Sequence, residues 1–122
     1  MTSPRHQTLT EAYERFNHRD IDGLLAMMTD DVEWPDMIKG VVLRDKGAIR
    51  DYWEGQFAAA SPVVTPLEVF DLGDDVVVVI DQQVSDHQGN PLAPATTVFH
   101  RYTFDGDQVR RMVVSTERPQ AG

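Results

Sequence analysis

Apolar residues recur at helical spacing in the first half of the chain and at strand spacing in the second. Leu9, Ala12, Tyr13 and Phe16 fall on one face of a helix of about four turns, and Pro4 suits its start. Asp20 reads as the N-cap of a second, shorter helix with an apolar face of Ile21, Leu24, Leu25 and Met28, ended by Thr29-Asp30-Asp31. A short strand from Val32 to Asp36 follows, then a loop and the brief apolar run Val41-Val42-Leu43. Asp45 caps a third helix whose buried stripe is Ile49, Tyr52, Trp53 and Phe57, and Pro62 and Pro66 mark the way out of it.

Beyond Pro62 the pattern is strand and turn throughout. Val63 to Leu72 turns at Gly73-Asp74-Asp75 into Val76 to Val84, which turns again at His87 to Pro91. A long strand from about Ala95 to Phe104 meets Asp105-Gly106-Asp107 and returns as Val109 to Thr116. Four hairpin-linked strands predict one twisted antiparallel sheet, and helices ahead of it predict an α+β fold with the helices on one face of a strongly curved sheet. Residues 76 to 80 and 98 to 104 are apolar at both parities, so the other sheet face is expected to be buried too, through a homodimer.

The candidate chemistry is acidic and aromatic. If Trp34 faces inward, the two-residue strand period aims Asp36 the same way and sets a carboxylate in an apolar hollow. Burial disfavours the charged form and brings such a group toward the working pH of a general base. Asp81 ends a run of four valines and an isoleucine, where an acid is paired, solvated at a strand end, or placed in a pocket. The Tyr13 hydroxyl can polarise a carbonyl, and Phe16, Trp34, Trp53 and Phe57 are core residues with faces to line a cavity. His100 is a strand histidine that pairs with an acid or sits at a dimer contact.

Composition removes many alternatives. The chain has 122 residues and no cysteine, which predicts one domain over 1–122 without disulfides, thiolate metal sites or thiol nucleophiles. Its net charge of -9 argues against nucleic acid and anionic membranes as partners. The first residues lack the apolar run of a signal peptide and no segment is apolar for long enough to span a bilayer, so a cytoplasmic location is expected. His6, His18, His87 and His100 have no metal-binding spacing, and no nucleophile elbow, phosphate loop or dinucleotide fingerprint occurs. Neither a metal nor a cofactor is predicted.

Helix two running into Met27-Met28-Thr29-Asp30-Asp31-Val32-Glu33-Trp34, the helix Lys46-Gly47-Ala48-Ile49-Arg50-Asp51-Tyr52-Trp53, and the hairpin Phe104-Asp105-Gly106-Asp107-Gln108-Val109 together resemble the SnoaL-like branch of the nuclear transport factor 2-like superfamily. The resemblance covers nearly the whole chain. It implies a cone in which a curved, mostly antiparallel sheet wraps three helices around an apolar pocket, a fold shared by ketosteroid isomerase, polyketide cyclases, dehydratases and epoxide hydrolases. Asp36 falls where the isomerase keeps its proton-shuttling aspartate. The isomerase's oxyanion tyrosine falls on Ala12, one place from Tyr13, and its oxyanion aspartate on Thr97. A glycine often found before the third helix in the family is replaced by Asp45.

The same matching turns Val79, Asp81, Gln83, Thr97, Phe99, Met112, Val114 and Thr116 inward. Binary patterning alone prefers Val98, His100, Tyr102 and Phe104, and an irregularity near Pro94 would exchange the two sets. The family parity is adopted as the expectation. What the resemblance then implies is a cofactor-independent isomerase, cyclase or dehydratase acting on a small, mostly apolar carbonyl compound. Asp36 would be the base, with Tyr13, Thr97 or Asp81 assisting. An epoxide hydrolase variant would use Asp81, Asp36 and Arg101 around a water. A non-catalytic small-molecule-binding or dimerisation module of the same fold is the alternative.

Overall fold

The computed structural model describes residues 4–37 and 39–115. Thr116, expected to line the pocket, lies outside them. In chain order the elements are α1 (Pro4–Asn17), α2 (Ile21–Ala26), β1 (Met28–Asp36), β2 (Val41–Leu43), α3 (Lys46–Ala59), β3 (Ser61–Asp71), β4 (Asp75–Ser85), β5 (Thr96–Asp105) and β6 (Gln108–Ser115). Both aspartate caps form as their positions predict. Asp20 accepts from the Gly23 N–H at 3.0 Å and Asp45 from the Ala48 N–H at 2.7 Å, each satisfying an amide the helix leaves unbonded. The second helix ends at Ala26 and not at Met28. The chain enters β1 at once, where the Val109 N–H donates to the Met27 carbonyl at 3.0 Å.

The six strands form one open sheet in the order β2-β1-β6-β5-β4-β3. From β3 to β6 neighbouring strands are antiparallel, as the hairpin pattern predicts. The β1 to β6 pairing is parallel, and its register shifts between Met28 and Glu33. Gly106, at φ 61°, makes the turn between β5 and β6 in a conformation that glycine adopts without cost. The helical layer is tied to the edge strand β3 by side chains of α1 and the turn after it. Asn17 both donates to the Val64 carbonyl at 2.8 Å and accepts from the Val64 N–H at 3.0 Å. Arg19 donates to the Pro62 carbonyl at 2.6 Å and lies over the Phe57 ring.

The main core lies between this layer and one face of the sheet. It unites Leu9, Tyr13, Leu24, Ile49 and Trp53 with Val76, Val78, Ile80, Tyr102, Phe104 and Met112, and Val98 packs against it. Val77, Val79 and Phe99 form a second cluster with Phe70 and Leu72 on the opposite face. The parity expected for β4 and β5 is therefore reversed. Register accounts for this, because Val78 pairs with His100, and His100 with Val114, so all three side chains face the helices. The alternative would send Arg101 into the helical layer and leave Tyr102 and Phe104 outside. In β6 the expected direction of Met112 and Val114 is the observed one.

Candidate functional site

Between the helices and the inner sheet face lies a partly enclosed cavity of about 120 Å³. Tyr13 reaches it from α1 and Trp34, with Pro35, from β1; Tyr52, Trp53 and Gln56 come from α3, Gln82 from β4, and His100 and Tyr102 from β5. Its aromatic wall is ordered edge to face. The Trp34 and Trp53 centroids lie 5.3 Å apart at 79°, and Trp34 also meets Tyr102 at 6.4 Å. Phe16 lines the cavity and packs on Phe57 at 5.2 Å; Phe57 itself stands behind it.

Three polar side chains meet inside this wall. The Tyr13 hydroxyl lies 2.7 Å from that of Tyr102 and 3.0 Å from His100 Nδ1, and Tyr102 lies 3.5 Å from the same nitrogen. They converge because Tyr13 is on the buried face of α1, while residues 100 and 102 share one face of β5. Burial pushes the His100 pKa down to about 4, so the imidazole is neutral at pH 7. Burial also raises both tyrosines; for Tyr13 the neighbouring Tyr102 adds to the effect. The result is an uncharged, mutually bonded cluster. With Nδ1 unprotonated, Tyr13 donates to the imidazole and accepts from Tyr102, leaving Nε2–H, which has no partner among the described residues.

The predicted acids are placed differently. Asp36 is buried, at 5 % exposure, but it is not among the residues lining the cavity. Its Oδ1 accepts the Lys39 N–H at 2.8 Å and its carbonyl accepts that of Gly40 at 2.8 Å, so it braces the turn into β2. Its link to the cavity runs through Tyr52, whose hydroxyl accepts from the Met37 N–H at 3.4 Å. Burial raises the Tyr52 pKa and the Asp36 charge adds to it. Asp81 points to the opposite sheet face from Gln82, where it accepts from Gln83 Nε2 at 3.2 Å. Thr97 is exposed on that face and Phe99 is buried there against Val77 and Val79, so neither touches the cavity. Arg101, on the same outer face, is paired with Asp75 at 2.7 Å, and the Asp81, Arg101 and Asp36 set is not assembled.

Tyr13, Phe16, Trp34, Trp53, Met112 and Val114 were expected at the cavity and line it. The expected set lacks His100, Tyr102, Gln82 and Gln56. For the two β5 residues the signal was present in the binary pattern; for the two glutamines no periodicity marks them. Among the described residues no group of three histidines or acids comes together to hold a metal, and no helix is long and apolar enough to cross a membrane.

A family model described as SnoaL-like domain matches residues 9–112. No curated protein matches the chain. Among solved structures, TerC crystallised with polyporic acid is similar at 25 % identity and a TM-score of 0.81, over 94 % of this chain and 92 % of that one. An NTF2-like protein of unknown function from Burkholderia pseudomallei is similar at 21 % identity and a TM-score of 0.82, over 95 % and 92 %. Rv0760c from Mycobacterium tuberculosis, in complex with estradiol-17β-hemisuccinate, is similar at 20 % identity and a TM-score of 0.77, over 91 % and 92 %. The latter two likenesses concern the fold alone.

Proposed function

This chain belongs to the SnoaL-like domain family, and from that premise we propose that its cavity binds a small, mostly apolar carbonyl compound by its oxygen. The observation that carries this reading is the uncharged Tyr13, Tyr102 and His100 cluster set inside an aromatic wall. Apolar walls with a few convergent polar groups are what a small-molecule site requires: burial supplies affinity and the hydroxyls fix orientation. At about 120 Å³ the cavity is comparable to an engineered one of about 150 Å³ that takes benzene. One ring is enclosed, and the rest of the molecule extends toward the opening. The similar TerC was crystallised with a ring compound, polyporic acid, which fits a ring-binding cavity.

A second reading adds chemistry to binding: a cofactor-independent isomerase, cyclase or dehydratase. It is favoured by two hydroxyls kept protonated beside a neutral imidazole, a donor set suited to an enolate oxygen. In it Asp36 takes the proton, reaching the ligand past Tyr52. The turn contacts of Asp36 make binding without catalysis the simpler reading.

One experiment separates the two. The protein is incubated with 1-tetralone in heavy water, and both binding and exchange of the proton next to the carbonyl are followed by NMR. Binding is expected to weaken about tenfold in Tyr13→Phe, in line with a lost buried hydrogen bond. Exchange above the buffer rate that disappears in Asp36→Asn establishes the catalytic reading, and binding without exchange establishes the binding module. Failure of ring ketones to bind the wild type sinks the pocket proposal.

A further inference from the structure

The cavity has a second polar end. Gln82 lies on the same face of β4 as Val78, and Val78 is the cross-strand partner of His100. Four residues at about 3.4 Å each put Gln82 about 14 Å along the strand from the level of His100. Gln56 lines the cavity one helical turn beyond Tyr52 and Trp53. Both glutamines are half-buried where Tyr13, Tyr102 and His100 are buried, so they stand toward the opening. Neither carboxamide has a hydrogen-bond partner among the described residues, whereas Gln83, the next residue on the outer face, is held by Asp81.

The lining also carries a charge signature. Among the described residues no aspartate, glutamate, lysine or arginine is part of it, and the one histidine among them is neutral at pH 7. A charged ligand group would be desolvated with no opposite charge among the described lining residues to compensate it. The net charge of -9 further disfavours anions.

We infer that Gln82 and Gln56 form a second recognition site at the mouth of the cavity, and that the ligand is an uncharged, elongated ring compound with a hydrogen-bonding group at each end. One end meets the Tyr13, Tyr102 and His100 cluster. The other meets a carboxamide, which both donates and accepts and so takes a hydroxyl, carbonyl or amide. This rests on the pocket reading above and adds to it which end groups and which overall charge are selected.

The test uses isothermal titration calorimetry with 2-naphthol, which has one polar end, 2,6-dihydroxynaphthalene, which has two, and the anion 6-hydroxy-2-naphthoate. Wild type is expected to bind the diol about tenfold tighter than 2-naphthol and at least tenfold tighter than the naphthoate. In the Gln82→Leu, Gln56→Leu double variant the preference for the diol over 2-naphthol is expected to fall to within twofold. Equal affinity of wild type for diol and 2-naphthol overturns the inference and leaves the pocket reading standing. A diol preference that survives in the double variant, or a naphthoate bound as tightly as the diol, does the same. If no naphthalene compound binds wild type, the pocket reading fails and this inference with it. The single variants Gln82→Glu and Gln56→Glu, which keep the side-chain length, are the second arm: a diol preference unchanged in both overturns the assignment to the glutamines even if the double variant does not fold.

Discussion

Asp36 and His100 are buried to nearly the same degree, 5 % and 9 % exposed, yet they do opposite things with their polar atoms. Asp36 turns its carboxylate onto the backbone of its own turn, at Lys39 N–H. His100 turns its ring toward side chains from another element, in the wall of a cavity. A carboxylate needs donors and finds them in unpaired amides; a neutral imidazole both donates and accepts, so it joins hydroxyls of the same kind. Burial alone therefore does not identify a working group. What distinguishes the two is whether the polar atoms are consumed locally or left facing empty space.

Acid is the strongest way to break this contrast. The imidazole titrates near 6.5 when unfolded and about 4 when folded, so between those values the unfolded chain binds more protons and stability falls as pH falls. The shift corresponds to about 3 kcal/mol, fully lost once the pH is below 4. The groups facing His100 across the cluster, the Tyr13 and Tyr102 hydroxyls, stay protonated throughout and do not offset it. Urea unfolding at pH 7 and pH 4.5 is expected to show this loss, and His100→Gln to remove most of the difference. Equal slopes in the two proteins would mean that the imidazole is not buried neutral.

Tyr102→Phe should come next, costing about 1–3 kcal/mol because it leaves the buried Tyr13 hydroxyl with only the imidazole. Thermal unfolding reads it, and a loss below about half a kcal/mol would show that the pair is not formed in solution. The smallest effect is expected at Asp36→Asn, about 1 kcal/mol or less, since the amide oxygen still accepts from Lys39. Ligand affinity in that variant sharpens the comparison. An unchanged Kd together with unchanged proton exchange assigns Asp36 to the turn, and a tenfold loss of either returns it to the site.

Much of this was legible in order and spacing. The α+β class, the hairpin order and the caps at Asp20 and Asp45 follow from local preferences acting over a few residues. So does the placing of Trp34, Trp53 and Phe16 at the inner layer. The β5 side chains were not settled that way, because Thr97 to Phe104 offers apolar residues at both parities and family matching chose the wrong one. The glutamines were invisible, since a polar residue on a strand or helix reads as solvent-facing unless its neighbours in space are known.

By itself, then, the chain's pattern determined which elements form, because helix and strand periods, caps and turns are properties of neighbours in sequence. Only the tertiary structure decided which polar groups share a cavity. Tyr13 and Tyr102 lie 89 positions apart and meet at 2.7 Å, a contact that depends on strand register and helix docking summed over the whole sheet, which no local period encodes.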